Sequence, residues 1–379
     1  NATLAKNKNL LKILKLLQQQ NIKLFLQIHD FAEDGRPSAY FEDEYIPDCH
    51  YGVINSRDYN VMLKAGLKME GLHKIFNMIR PMNMKPADIS PKQHILYPIR
   101  ALRRKNIGEA ILLSLYFNNL EPLVITLPPN SPADIKSYRG WKQYVIKEGL
   151  NVKFDAGLHT DFETLVMSSK LFVTTSMMEG FGFSFLEPWV AQKYLWGRKL
   201  PEICQDFEKN GVRLNHLYTR LSIPLEWIGK DDFVNKQISC ILKSSADFHY
   251  NLDNDKILSA VTQSVATNTI DFGLLDEQFQ KQIISRLVMS PTDKTKLIAL
   301  NPFLLNPTTV VNKDALIQHN SNTIIKHYNE TIYSQNLITI YKHVINTPVK
   351  HRINKQVLLS EFFDLKSFSL LKWGDYVES

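Results

Sequence analysis

Lys170-Leu-Phe-Val-Thr-Thr175 is a short β-rich run, and Glu179-Gly-Phe-Gly-Phe-Ser-Phe-Leu-Glu187 follows it, with Pro188-Trp189 next. A strand, a glycine turn and an apolar run opening a helix form the ligand-binding corner of an open α/β sheet. Unpaired backbone N–H groups at such a helix start favour a phosphate or another anion. Two turns of helix take about 7.2 residues, so positions eight apart lie near one face. With a helix starting near Gly182, Glu187 is helical and Glu179 sits on the loop above it. Both then face one polar ligand from different heights. Taken alone, the segment is equally compatible with a surface loop and an amphipathic helix bearing two solvated acids.

A second segment upstream decides between these readings. His94-Ile-Leu-Tyr97 reads as a buried strand, and from Ile107 onward Ala110, Ile111, Leu113 and Ser114 suggest a helix with an apolar face. Arg100 and Lys105 straddle the loop between them. A planar guanidinium fork and a point-charge ammonium beside a helix N-terminus make a diphosphate clamp. Arg103 and Arg104 add charge to the same turn, with no role assigned to either.

Together the two segments resemble the retaining GT-B glycosyltransferases of family four. The C-terminal domain of that family carries an Arg-x4-Lys pair after its first strand and a Glu-x7-Glu motif further along. Both occur here in order, at Arg100/Lys105 and Glu179/Glu187. Asp161-Phe-Glu-Thr-Leu-Val-Met167 matches the helix before the motif strand, and residues 66–81 resemble the interdomain stretch with its usual Asn-Pro displaced. The resemblance implies an α/β, GT-B architecture with two Rossmann-like domains facing a cleft. Residues 1–88 would be a partial, acceptor-side N-terminal domain, 89–245 the donor-binding domain, and 246–379 a helical segment crossing back toward the N-terminal domain. Fewer residues precede the clamp strand than family members place there, and the opening Asn-Ala resembles a tag remnant. The expectation is therefore a truncated N-terminal domain that lacks its first strands.

Bulk properties agree with a globular enzyme of this size. At 379 residues the chain supports two domains with good cores, and 44% hydrophobic with 22% charged residues is ordinary for a soluble protein. No apolar run approaches the ~20 residues that span a bilayer, and no signal peptide is visible at the start. Cys49, Cys204 and Cys240 are too few and too scattered for a disulfide framework or a zinc site. A cytoplasmic setting is expected. The formal charge of +7 suits nucleic acid, an anionic membrane or a nucleotide sugar. Basic residues are scattered without aromatic interleaving, which argues against nucleic acid. Residues 9–17 form a basic amphipathic stretch, read as a packed helix, and leave a peripheral membrane contact open. Residues 22–28 and 49–55 read as strands, with a dense polar loop after the first, and 321–345 read as one long helix.

The resemblance assigns the chemistry. The chain would move a hexose from a nucleoside-diphosphate sugar to a hydroxyl acceptor: a sugar, a small molecule or a lipid-linked group. Arg100 and Lys105 would stabilise the departing diphosphate. Glu187 would accept hydrogen bonds from the nucleotide ribose, and Glu179 would contact the donor sugar. Gly180, Phe181, Gly182, Phe183 and Ser184 would form the donor-binding turn, its glycines letting backbone amides approach the ligand. His29 would stand beside the reacting sugar, oriented by Asp30. Ser176 is either near the nucleotide or part of a structural turn. No Asp-x-Asp pair stands out, so neither a metal nor a cofactor is expected. A hydrolase using the two glutamates as acid and nucleophile is disfavoured, because Glu187 on the ribose is too far from the anomeric carbon. The alternative class is a non-catalytic nucleotide-sugar-binding or scaffold protein.

Overall fold

The computed structural model describes residues 2–7, 9–82, 94–117, 121–305 and 313–376. The expected domain boundary at 88/89 lies outside them. An N-terminal sheet holds β1 (Phe25–Ile28), β2 (His50–Val53) and β3 (Leu72–Lys74), all parallel, in the order β1-β2-β3. A second parallel sheet holds β4 (His94–Arg100), β5 (Leu123–Leu127), β6 (Val152–Lys153), β7 (Ser169–Thr174) and β8 (Leu195–Gly197). Its strands run β6-β5-β4-β7-β8. The order reverses between β4 and β7, and in open α/β sheets ligands bind outside the C-terminal strand ends at such a switch point. Chain topology alone therefore brings the loops after β4 and β7 together.

The strands of the second sheet are apolar on both faces, as helix-covered parallel strands must be. Ile95, Leu96, Leu123, Ile125, Leu171 and Phe172 are buried, and Trp141, Trp189, Phe185 and Phe207 fill the space between strands and helices. A helix over Ile107–Ser114 follows β4 and buries almost its whole circumference. The N-terminal sheet has a smaller core around Ile28, Tyr51, Val53 and Met62. The terminal segment completes that core: Ile353, Leu358 and Phe362 belong to it, and Ile340 and Val344 pack on Ile75.

The segment after 246 is mostly helical, as expected, with one short strand, β10 (Thr269–Asp271), pairing antiparallel with β9 (Ser222–Pro224). One expectation needs correction. The helix expected over 321–345 is two helices, Lys313–His327 and Glu330–Asn346. Asn329 caps the second, its side chain accepting from the Ile332 N–H, which ends one helix and starts another. Tyr328 at the break turns inward against Phe76, Phe181 and Phe207; its hydroxyl accepts from Asn210 and donates to the Asp206 carbonyl. At the other end, Leu10, Leu11 and Leu14 of the Leu10–Gln19 helix pack on the N-terminal core while Ile13 and Leu16 stay exposed. Among the described residues no helix is long and apolar enough to cross a membrane.

Candidate functional site

The loop after β4 is held from three sides. A 3-10 turn over Arg103–Lys105 leads to Asn106, which takes the left-handed conformation (φ 53°) before the Ile107–Ser114 helix. The Tyr97 hydroxyl donates to the Lys105 carbonyl at 2.6 Å, and the Thr175 hydroxyl donates to the carbonyls of Lys105 and Asn106. Asn106 in turn donates to Glu109 and accepts from Gln280. Behind it lies a fully buried cluster in which Arg198 bonds Glu109 and Asp271 bidentately and Tyr218 donates to Glu109. Burial pushes the Glu109 carboxyl up, and Arg198 opposes that shift only in part. Arg103 serves the scaffold as well, forking onto Glu277.

From this fixed backbone the Lys105 ammonium reaches the Glu179 carboxylate at 2.5 Å. Arg104 sits 3.9 Å from the same carboxylate and donates to the Met178 carbonyl at 3.1 Å. Glu179 is 7% exposed. Burial alone would raise its pKa, but Lys105 and Arg104 outweigh burial and hold it below the ordinary value. Glu187 has the opposite balance: half-buried, and raised by burial and by the neighbouring Glu179 charge, with Lys105 offsetting part. The two carboxylates and Lys105 thus form one electrostatic unit in which Glu179 is ionised and Glu187 is reluctant to be.

The turn between the carboxylates is tighter than a helix start. Gly182 has φ 93°, Phe183–Phe185 form a 3-10 turn, and the helix that follows is only Glu187–Val190. A Cβ on Gly182 would meet Ile203, Phe185 and Phe207, so this glycine serves the turn and the core. Phe181 is likewise core, packed on Phe76, Phe207 and Tyr328. Phe183 is exposed, and the Ser184 hydroxyl lies 3.4 Å from Glu179. Gly180 faces the N-terminal half: a Cβ there would stand 3.3 Å from the His29 carbonyl, and its own carbonyl accepts from Asn55. Ser176 is buried beside Tyr97 and Glu179.

Across the cleft, His29 is exposed at the end of β1, facing Arg104, Met178, Glu179 and Gly180. Asp30 pairs with Arg36 at 2.7 Å. Glu33 is buried against Tyr45, and Asp34 is paired with Arg57 and Lys372. Most of the polar loop after β1 therefore supports the fold, and His29 lines the same space as Glu179. Arg100 stands exposed at the end of β4, and the structure does not bring it into the ion pairs on Glu179. Arg104 takes that place. Its spacing next to Lys105 was visible in the sequence, but two adjacent arginines cannot be told apart there; only the turn aims one at Glu277 and the other at Glu179.

The space between the halves is nearly closed, about 10 Å³, far below the range of about 300–1,000 Å³ that holds drug-sized ligands. It is closed by bonds across the cleft. Asp206 accepts from the Ser56 N–H at 2.7 Å and from the Ser56 hydroxyl at 2.5 Å, Lys74 donates to that hydroxyl, and Asn55 reaches Gly180. A ligand as large as a nucleotide sugar requires these contacts to part.

Two parallel α/β sheets facing a polar cleft give this chain the GT-B fold of glycosyltransferases. No protein-family model matches the chain. Mannosylglucosyl-3-phosphoglycerate synthase of Petrotoga mobilis (strain DSM 10674 / SJ95) is similar, 28% identical over 256 residues, covering 59% of this chain and 50% of that protein. The chain thus spans about half the length of the curated relative it matches. Among solved structures, Anabaena Alr3699/HepE in complex with UDP-glucose is similar with a TM-score of 0.50 at 13% identity, covering 89% of this chain and 77% of that one. Sucrose-phosphate synthase from Thermosynechococcus elongatus aligns with a TM-score of 0.48 at 12% identity, covering 88% and 70%.

The raised pKa of Glu187 gives a prediction with a definite sign. A carboxyl whose folded pKa exceeds its unfolded one contributes stability at pH below the unfolded value and loses it as pH rises through the folded value. At neutral pH the ionised Glu187 therefore costs stability in the free protein. Glu187→Gln should raise the melting temperature at pH 7, with the gain fading in acid. Melting curves at both pH values check this.

Proposed function

We propose that the chain is a retaining, metal-independent glycosyltransferase that moves a hexose from a nucleoside-diphosphate sugar to a hydroxyl acceptor. The observation that carries this reading is the Lys105–Glu179–Arg104 group at the switch point of the second sheet. As the bond from the anomeric carbon to the diphosphate breaks, negative charge grows on the leaving oxygen, and preorganised cations beside it lower the barrier. Lys105 and Arg104 are those cations, with Arg100 free to swing in from the end of β4. Glu179 holds Lys105 in place until a donor arrives and then takes up the sugar hydroxyls. Glu187 binds the ribose, Ser184 and the exposed Phe183 border the donor, and His29 lies on the acceptor side.

The name of the Petrotoga relative supports a small, anionic, hydroxyl-bearing acceptor, and the formal charge of +7 is of the right sign to attract one. The test is a thermal-shift panel of UDP-, GDP- and ADP-sugars. A donor at about 100 times its Kd should add about 2.7 kcal/mol of stability, and Lys105→Ala should abolish the shift. No shift with any donor would overturn the reading. A shift without transfer to any hydroxyl acceptor would favour a nucleotide-sugar-binding protein instead.

A further inference from the structure

On the N-terminal sheet, three histidines from three separate elements converge. His50 opens β2, His73 is the middle residue of β3, and His343 lies on the Glu330–Asn346 helix that packs back onto the N-terminal sheet. Each offers one ring nitrogen, and these nitrogens lie within 4.8 Å of one another. His50 and His73 are nearly coplanar, with Nδ1 of the first 2.9 Å from Nε2 of the second. The His343 ring stands edge-on to both, its centroid 5.7 Å and 5.4 Å from theirs.

Backbone carbonyls fix which nitrogens are available. His50 Nε2 is 2.8 Å from the Thr347 carbonyl, and His343 Nε2 is 2.9 Å from the Glu70 carbonyl. A carbonyl only accepts, so both Nε2 atoms carry hydrogen and both Nδ1 atoms present lone pairs. A ring N–H donated to a carbonyl is the usual outer support of a metal-bound imidazole. Burial holds His50 and His73 below the usual histidine range, His73 down to about 4, so both are neutral at pH 7.

We propose that His50, His73 and His343 form a binding site for one divalent transition-metal ion of the zinc type, which staples the N-terminal sheet to the returning C-terminal helix. Imidazole suits zinc and its neighbours in the series, and three protein ligands with a water in the fourth position make a complete tetrahedral set. Metal–nitrogen bonds of about 2.0–2.1 Å need the rings to close in by small rotations. His73 must move its ring hydrogen from Nε2 to Nδ1, so its own ligation releases no net proton. His50 opens β2, whereas Asn55, beyond the strand's other end, touches Gly180. The metal would therefore act first on the stability of the N-terminal sheet.

The test is Zn²⁺ titration of the full chain against a chromophoric chelator, with Co²⁺ absorption as a second readout. The expected result is one ion per chain, a tetrahedral Co²⁺ spectrum, and a melting temperature that rises with Zn²⁺ and falls back with EDTA. His343 is exposed, so His343→Ala should fold, yet bind Zn²⁺ at least about tenfold more weakly and lose the Co²⁺ bands. Absence of stoichiometric binding at micromolar Zn²⁺, or binding undiminished in His343→Ala, would overturn the proposal.

Discussion

Lys105→Ala is expected to lower glycosyl transfer by about 10²–10³-fold, the usual cost of removing one preorganised charge-stabilising donor. The ammonium is the closest cation to Glu179, and its backbone is pinned by Tyr97 and Thr175, so it needs no reorganisation when the diphosphate leaves. The same change disturbs stability, because it leaves Glu179 buried with only Arg104 at 3.9 Å. In the wild type the folded pKa of Glu179 lies below its ordinary 4.5. The stability it contributes is therefore present above the unfolded pKa and lost as pH falls through the folded one. In the variant that contribution disappears, so the stability deficit should be greatest near neutrality and shrink in acid. Adding Glu179→Gln should restore most of the stability and none of the transfer. Recovery of transfer in the double variant would show that Lys105 acts only through folding.

Arg198→Met should be the most destabilising single change among these residues. The guanidinium is 2% exposed and makes four hydrogen bonds to Glu109 and Asp271. Removing one partner of a buried ion pair leaves an uncompensated charge and costs about 3–5 kcal/mol, and here two carboxylates are stranded. Glu109 is already pushed upward by burial, so in the variant it should take up a proton. Protonation then ties unfolding to pH, with the deficit easing below neutrality. Because Glu109 holds Asn106, the variant should also loosen the Lys105 turn and lower transfer at temperatures where the protein is still folded. Thermal unfolding as a function of pH checks the first part. A loss below about 1 kcal/mol would mean that the cluster gives specificity of structure more than stability, as buried ionic groups do in some proteins.

The parts of the site that could be read from sequence are those set by local order along the chain. Apolar runs at 94–97 and 170–174 gave two strands, and the polar turn after each gave Lys105 and Glu179. The switch-point topology then brings the two together. What was hidden depends on contacts distant in the chain. The packing of Phe181 and Gly182 in the Gly-Phe-Gly turn against Tyr328, Phe207 and Ile203 is one such contact. The break at Tyr328–Asn329 is invisible to a helical pattern that continues on both sides, because a tyrosine pulled into the core and an asparagine cap decide it. Arg198 and Asp271 are separated by 73 residues, and His50 and His343 by far more, so neither cluster has a spacing to notice.

The most direct test is nucleoside diphosphate release by the purified full chain, supplied with UDP-, GDP- and ADP-sugars and small anionic hydroxyl acceptors in the presence of a chelator. The expected result is acceptor-dependent release from at least one donor, a product with the donor's anomeric configuration, and loss of release in Lys105→Ala. Absence of release from every donor, release that Lys105→Ala leaves unchanged, or an inverted product would contradict a retaining, metal-independent transferase.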